Sequence, residues 1–230
     1  EGNKKYSFSN IAFWLYFLGL FNLMFNWGHH IYTLPTQPYV KHIAYVVSMT
    51  ELFIFGRIIY LWKASVTEAK KNFHIHSFRF LVAADVWVFL TLGLAIAMSV
   101  PALNLYMHGT HTVVAHTMGA TIGINSMLLL AFVTDIFGEP TQKAQMVKKG
   151  FWISNIALFV FWLALIGAGF SKAYMQFNQP EMAYTDIINS LRPWFYVFFV
   201  SGCLLVIGLF VIVIPFLKKG LEKFNLRKLQ

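Results

Sequence analysis

Apolar residues occur along this chain in six long runs, and short polar stretches between them carry most of the charge. Each run has about 20 residues or more, the length that a helix needs to cross the hydrocarbon core of a bilayer. The pattern predicts an all-α membrane protein with six transmembrane helices, and we expect residues 1–230 to form a single transmembrane helical bundle without a soluble domain. The predicted spans are about 8–34, 38–62, 77–101, 108–137, 150–171 and 193–217.

The charge distribution orients these helices. Of the 230 residues 58% are hydrophobic, and the net charge is +9, with most of the 18 Lys and Arg residues at the two termini and in the loops at 63–79 and 138–150. By the positive-inside rule both termini are predicted to be cytoplasmic. The basic tail at 218–228 is expected to contact lipid headgroups, so the positive charge does not indicate nucleic-acid binding. The lone Cys203 excludes an internal disulfide framework.

Adjacent histidines end the first predicted helix. His29 and His30 fall in the same half of the membrane as the start of the fourth helix. Neighbouring helical residues point about 100° apart, so the pair can bind one atom only where the helix geometry relaxes. Gly28 and Pro35 supply that looseness. Because imidazole commonly binds transition metals, the pair is a candidate metal site; histidines at an aqueous interface are the alternative.

The fourth helix carries His116 and Met118, two residues and therefore about 200° apart around the axis. One metal cannot bind both, but two hemes on opposite sides of the helix could take one each. Gly119 and Gly123 form a small-x-x-x-small surface that lets a flat group approach the backbone, although ordinary helix packing explains it equally well. Met118 taken alone also suits a packing role.

Glu51 lies about twelve residues into the second helix, roughly 18 Å from its outer end at 1.5 Å per residue. A carboxylate at this depth is costly and usually functional. The alternative is an ion pair with Arg57, but their separation of six residues does not match the favourable spacings of three or four. We therefore expect Glu51 to have a functional role.

These motifs, in this order, resemble the catalytic subunit of the heme-copper oxidase superfamily, specifically its nitric oxide reductase branch. "WGHHIY" is similar to the helix with two adjacent histidine ligands of the non-heme metal, and "HGTHTVVAHTM" is similar to the helix with the heme ligands. The resemblance extends over the whole chain and implies the second half of a twelve-helix bundle.

The resemblance implies a role for each candidate. His29 and His30 would bind non-heme iron, and His116 would be the axial ligand of a high-spin heme. His108 would lie near the heme propionates, with a solvated loop histidine as the alternative. Met118 stands where the family usually has a histidine ligand of the low-spin heme, which implies a His/Met-ligated heme of raised potential. The implied cofactors are two b-type hemes and non-heme iron, with calcium as a further candidate.

Two features favour nitric oxide over oxygen as the substrate. Oxygen reductases of the superfamily have a cross-linked tyrosine, which in the cbb type lies six residues before the histidine pair, where this chain has Leu23, and the H-P-E-V-Y pattern of other oxidases is absent. Glu51 follows His30 by 21 residues, where nitric oxide reductases have a glutamate near the iron. The implied reaction is 2 NO + 2 e⁻ + 2 H⁺ → N₂O + H₂O. Oxygen reduction and non-catalytic heme handling in the membrane are the alternatives.

The resemblance also implies a larger assembly in the bacterial cytoplasmic (inner) membrane. The family's first six helices would supply the third histidine of the non-heme metal and the other axial ligand of the low-spin heme. We therefore expect this chain to need an N-terminal half or a partner chain. A cytochrome c subunit or a quinol would donate electrons for respiratory denitrification. Asp85 is a candidate either for a proton path or for an ion pair with Arg79. Arg192 is a candidate for contact with a heme propionate.

Overall fold

The computed structural model describes residues 9–65, 77–138 and 143–228. Within these ranges the chain is helical and contains no β-strand, and six helices are long and apolar enough to cross a membrane. The predicted all-α class with six membrane-length helices is therefore confirmed. The predicted first residue of the first span, residue 8, and both termini lie outside the described residues. The membrane-length helices are Asn10–Ile31, Pro38–Leu61, Phe78–Ser99, His111–Phe137, Ala144–Asn178 and Arg192–Leu221.

Several of these spans consist of more than one element. A 3₁₀ segment (Asn26–Ile31) completes the first span, and a π segment (Gly119–Ser126) interrupts the fourth. Short helices also lie in two of the loops. The α-helices in chain order are α1 (Asn10–Phe25), α2 (Pro38–Met49), α3 (Glu51–Ser65), α4 (Phe78–Ser99), α5 (Pro101–Met107), α6 (His111–Met118), α7 (Met127–Phe137), α8 (Ala144–Asn178), α9 (Tyr184–Ser190) and α10 (Arg192–Lys228).

The irregular points lie at the residues that the sequence selects as candidates. The first span tightens to a 3₁₀ helix at the histidine pair, the second breaks at Thr50 immediately before Glu51, and the fourth widens to a π-helix immediately after Met118. Hydropathy does not predict these breaks, because each lies within a span that is apolar enough as a whole to cross a membrane. Single π segments within α-helices are frequent at functional sites.

The last two membrane-length helices are longer than predicted. α8 has 35 residues and α10 has 37, because intrahelical hydrogen bonding continues where the side chains become polar. The two helices pack along each other. A Cβ on Gly150 would come within 2.9 Å of the Gly208 carbonyl oxygen, so small residues allow the two backbones to approach closely.

The chain divides into two compact units. The first is Glu1–Thr67 with Leu92–His108, and the second is Glu68–Thr91 with Gly109–Gln230. In the first unit α1 packs on α2 and α3, and the 3₁₀ segment packs on α2. In the second unit α8 contacts α6, α10 and the π segment. The single bundle and its cytoplasmic termini stay predictions.

Candidate functional site

The 3₁₀ segment of the first unit places the adjacent histidines side by side. The ring centroids of His29 and His30 are 4.2 Å apart, and the rings are tilted by 40°. His29 is buried and His30 is exposed. The two rings therefore lie close together, and their role as ligands of one ion stays a prediction.

Gly28 brings this segment against α2. A Cβ at Gly28 would lie 2.7 Å from the Ala44 Cβ, which is closer than carbon atoms pack. The sequence suggested that Gly28 loosens the helix end, and the structure gives it a further role in close approach. That approach places the Nδ1 atom of His29 3.3 Å from the hydroxyl of Ser48, which is fully buried. Ser48 thereby orients the His29 ring.

His108 lies beside the histidine pair. Its ring centroid is 5.9 Å from that of His30. His108 follows the last residue of α5, where its backbone N–H donates to the Asn104 carbonyl oxygen at 2.7 Å, and its Nδ1 atom is buried without a hydrogen-bond partner in the described residues. Nevertheless, across residues 9–65, 77–138 and 143–228 no three His, Cys, Asp or Glu side chains are arranged to hold a metal ion. The described histidines are thus an incomplete ligand set.

Glu51 is the first residue of α3 and is buried, with 8% of its surface exposed. It follows Ser48 by three residues, so the two side chains lie about one helical turn apart on similar sides of the chain. Ser48 contacts His29, the metal-ligand candidate. Glu51 therefore follows, by about one turn, the residue that orients His29.

Asn22 is a buried polar residue that the sequence analysis missed. Its Nδ2 atom donates to Thr50 Oγ1 at 2.7 Å and to the Val47 carbonyl oxygen at 3.3 Å. The available signal was an asparagine within an apolar run, where an amide needs a partner. Ser48 was missed for a different reason: serine is common in membrane helices, because its hydroxyl can bond to the backbone of its own helix.

His116 lies on α6 in the second unit, where its Nδ1 atom is 3.2 Å from the Thr91 carbonyl oxygen. A carbonyl oxygen only accepts, so Nδ1 carries the proton and the Nε2 atom of the neutral ring carries the lone pair. A heme ligand that binds through Nε2 needs this tautomer. His116 therefore fits the axial ligand of a heme.

Met118 is half-buried, and regular α-helical geometry turns its side chain about 200° from that of His116. A thioether on that side of α6 is a competent heme ligand. The assignment of Met118 as a ligand, and the low-spin heme itself, stay predictions.

The glycines that follow face protein side chains. A Cβ on Gly119 would meet Thr91 Oγ1 and Trp162 Nε1, and one on Gly123 would meet the Trp87 indole. The indole N–H of Trp87 donates to Asn155 Oδ1 at 3.1 Å, which fixes the ring. The flat group against this surface is an indole, so in the described structure ordinary helix packing accounts for both glycines.

Two candidates with open roles lie elsewhere on the helices. Asp85 is half-buried on α4, and Arg192 is exposed at the first residue of α10. The second histidine of the sequence "HGTHTVVAH", His111, packs its ring 5.2 Å from that of Phe195. The proposed roles of Asp85 and Arg192 stay predictions.

Known proteins resemble this chain over almost its full length. The family model described as cytochrome c and quinol oxidase polypeptide I matches residues 3–222. A protein named as a subunit of nitric oxide reductase, from Stutzerimonas stutzeri, is 22% identical over 224 residues, which cover 90% of this chain. The match covers 47% of that protein, so the chain spans about half the length of this curated relative.

Proposed function

The chain belongs to the cytochrome c and quinol oxidase polypeptide I family, and on that basis we propose that it is part of the catalytic subunit of a respiratory nitric oxide reductase. Family membership makes it a multi-pass membrane oxidoreductase of the heme-copper superfamily. The proposed reaction joins two NO molecules: an N–N bond forms, one N–O bond breaks, and two electrons and two protons yield N₂O and water.

The observation that carries the choice of nitric oxide is that Glu51 is buried and follows Ser48, the residue that contacts His29, by three residues. A carboxylate near the metal suits iron, which prefers harder ligands than cuprous copper does. Leu23, at the position of the oxidase tyrosine, supports the same choice. The relative from Stutzerimonas stutzeri, which is named as a nitric oxide reductase subunit and is 22% identical, also supports the choice of nitric oxide.

The candidate residues fit the cofactors of such an enzyme. His116 would hold the high-spin heme, Met118 the low-spin heme, and His29 with His30 the non-heme iron. When bound, the high-spin heme and the non-heme iron would each supply a coordination site for NO, and the low-spin heme would supply electrons. His108 would lie near the heme propionates.

The chain's own residues orient ligands and move protons. The Thr91 carbonyl holds His116 in the tautomer with its lone pair on Nε2, and Ser48 orients His29. The reaction consumes two protons in a region from which the apolar spans exclude water. Glu51 is the ionisable side chain whose burial and position suit proton delivery to that region.

We further propose that the relative's remaining half has a counterpart in the assembled enzyme. That counterpart, a longer chain or a partner, would supply the third histidine of the iron site and the second axial ligand of the low-spin heme. Electrons would come from a cytochrome c subunit or a quinol, and the enzyme would lie in the bacterial cytoplasmic membrane.

The test uses the complex purified from its native membrane. Under anaerobic conditions, with a chemical reductant and an electron mediator, NO consumption and N₂O formation are measured together, and heme and total iron are determined on the same sample. We expect one N₂O for two NO, and iron in excess of heme. A parallel assay in air-saturated buffer without NO measures oxygen uptake. Oxygen uptake there, with no N₂O formed in the anaerobic assay, would identify an oxygen reductase, whereas heme without non-heme metal and without turnover would identify a heme-handling protein.

A further inference from the structure

We propose that Asn22 is a positioning residue for Glu51, which acts through the helix break at Thr50. The proposal rests on the proposed function, because it concerns how the carboxylate of Glu51 is presented for proton delivery. The contacts that carry it lie within the first unit, on α1, α2 and α3.

The break consists of a short set of tight hydrogen bonds. The Thr50 backbone N–H donates to the Val47 carbonyl oxygen at 3.0 Å, a 3₁₀-type bond, and Phe53 N–H donates to the Thr50 carbonyl oxygen at 3.1 Å in the same pattern. The Thr50 hydroxyl donates to the Val47 carbonyl oxygen at 2.6 Å. α2 therefore ends at Met49, and α3 begins at Glu51.

Asn22 reaches this break from another helix. Its amide nitrogen donates to Thr50 Oγ1, whose proton is already committed to Val47, and also to the Val47 carbonyl oxygen. The Asn22 side chain thus contacts both Thr50 Oγ1 and the Val47 carbonyl oxygen, the two atoms that are hydrogen-bonded to each other across the break. Only 5% of the Asn22 surface is exposed, and an amide buried in apolar surroundings is costly unless it is hydrogen-bonded.

The break sets the direction of Glu51. A 3₁₀ turn advances about 120° per residue and an α-helix about 100°, so each residue that relaxes to α-geometry turns the following side chains by about 20°. Thr50 has φ −63° and ψ −19°, which lies close to the α-helical region, so a continuous helix is a small step away. The bonds from Asn22 hold the chain in the broken form and thereby hold the direction of the Glu51 side chain.

The experiment compares variants on both sides of the contact in the assembled enzyme. Asn22→Leu removes the amide at similar volume, and Thr50→Val removes the hydroxyl without changing the shape. Thr50→Ser keeps the hydroxyl and is the rescue variant. Thr134→Val is the matched control, because the Thr134 hydroxyl likewise donates to a carbonyl oxygen of its own helix, that of Leu130 at 2.7 Å, and Thr134 is buried.

Two quantities are measured: turnover, and the infrared carboxyl band of Glu51, which is assigned by its loss in Glu51→Gln. We expect Asn22→Leu and Thr50→Val each to shift the band and to lower turnover by on the order of tenfold to a hundredfold, with heme and iron contents unchanged. Thr50→Ser and Thr134→Val should resemble the wild type. The double variant should lose no more turnover than the worse single variant, since both remove one interaction.

An unshifted Glu51 band with wild-type turnover in Asn22→Leu or in the isosteric Thr50→Val would overturn the proposal, as would an equal loss in Thr134→Val. Should Asn22→Leu fail to assemble, Thr50→Val decides alone. The band also separates this proposal from the proposed function. If the enzyme reduces oxygen and not NO, the proposed function fails, whereas a band shifted by Asn22→Leu still supports the positioning role.

Discussion

Three buried or half-buried polar side chains form hydrogen bonds to another helix. His29 contacts the Ser48 hydroxyl, and His116 contacts the Thr91 carbonyl oxygen. Asn22 donates to the Thr50 hydroxyl and to the Val47 carbonyl oxygen. In a bilayer core there is no water to replace such partners. Each of these polar side chains therefore fixes the local position of two helices, and its own orientation is fixed in return.

Removal of either metal-ligand candidate should remove the non-heme iron. In His29→Ala and in His30→Ala we expect loss of turnover and of iron in excess of heme, with both hemes retained, because each imidazole would be a direct ligand. Iron analysis and heme spectra provide the measurement. His42→Ala is the control, since His42 is exposed and its ring contacts Pro38 of its own helix. An unchanged ratio of iron to heme in either variant would contradict the assignment.

Glu51→Gln should separate catalysis from assembly. The side chain keeps its size and loses its charge and its proton, so turnover should fall by on the order of a hundredfold or more while heme and iron contents stay constant. Steady-state NO consumption at saturating donor measures the effect. Glu181→Gln, at an exposed position, is the matched control. Wild-type turnover in Glu51→Gln would remove Glu51 from the mechanism.

Met118 can be tested through the low-spin heme. Met118→His should keep that heme and lower its potential, because imidazole stabilises ferric iron better than a thioether does. Met118→Leu should leave the heme five-coordinate or lost, with the bundle still folded because the volume is similar. A redox titration of the low-spin band and the near-infrared methionine-to-iron charge-transfer band provide the measurement.

Met146→Leu, at an exposed position, is the control for the redox titration. An absent charge-transfer band in the wild type, together with an unchanged titration of Met118→Leu, would make Met118 a packing residue.

At the scale of elements, the spans deviate from regular α-geometry where close contacts require it. The 3₁₀ segment accompanies the contact of Gly28 with Ala44, and the π segment accompanies the contact of Gly123 with Trp87. Both deviations lie next to candidate ligands. In both places a close contact between helices accompanies irregular geometry beside a candidate ligand.

Gly123→Ala should destabilise the fourth span. Its new Cβ would overlap the Trp87 indole, and overpacking of this kind typically costs about 1–3 kcal/mol. Gly93→Ala is the control, because a Cβ there meets no atom of the described residues within 4 Å and should be neutral or stabilising by about 0.5–1 kcal/mol. Thermal unfolding in detergent, followed by circular dichroism, gives the difference in midpoint. Equal midpoints for the two variants would show that the Trp87 contact is not tight.

At the scale of the whole molecule, the Lys and Arg distribution predicts cytoplasmic termini. A fluorescent protein fused after Gln230 should fluoresce, and alkaline phosphatase fused at the same place should be inactive, because its disulfides do not form in the cytoplasm. Alkaline phosphatase inserted in the loop at 179–183 should be active. The reverse pattern would invert the topology and place the histidine pair at the cytoplasmic side.

Local features of the amino-acid sequence were sufficient to predict the all-α class, the six membrane-length helices and the resemblance that led to the family. Bilayer thickness sets the length of an apolar run, and each run can be recognised without its neighbours. The candidate ligands could also be identified locally, because an ionisable residue within an apolar run stands out. The pairing of His29 with Ser48 could not be identified in this way, because serine is ordinary in such helices.

How the candidates are held depends on tertiary packing. Asn22 and Thr50 are 28 residues apart, and His116 and Thr91 are 25 apart, so no local pattern connects them. The break before Glu51 and the indole against Gly123 likewise depend on which helices pack together. Hydropathy shows how apolar a segment is. The orientation of a buried polar side chain depends instead on the hydrogen-bond partner that another helix places beside it.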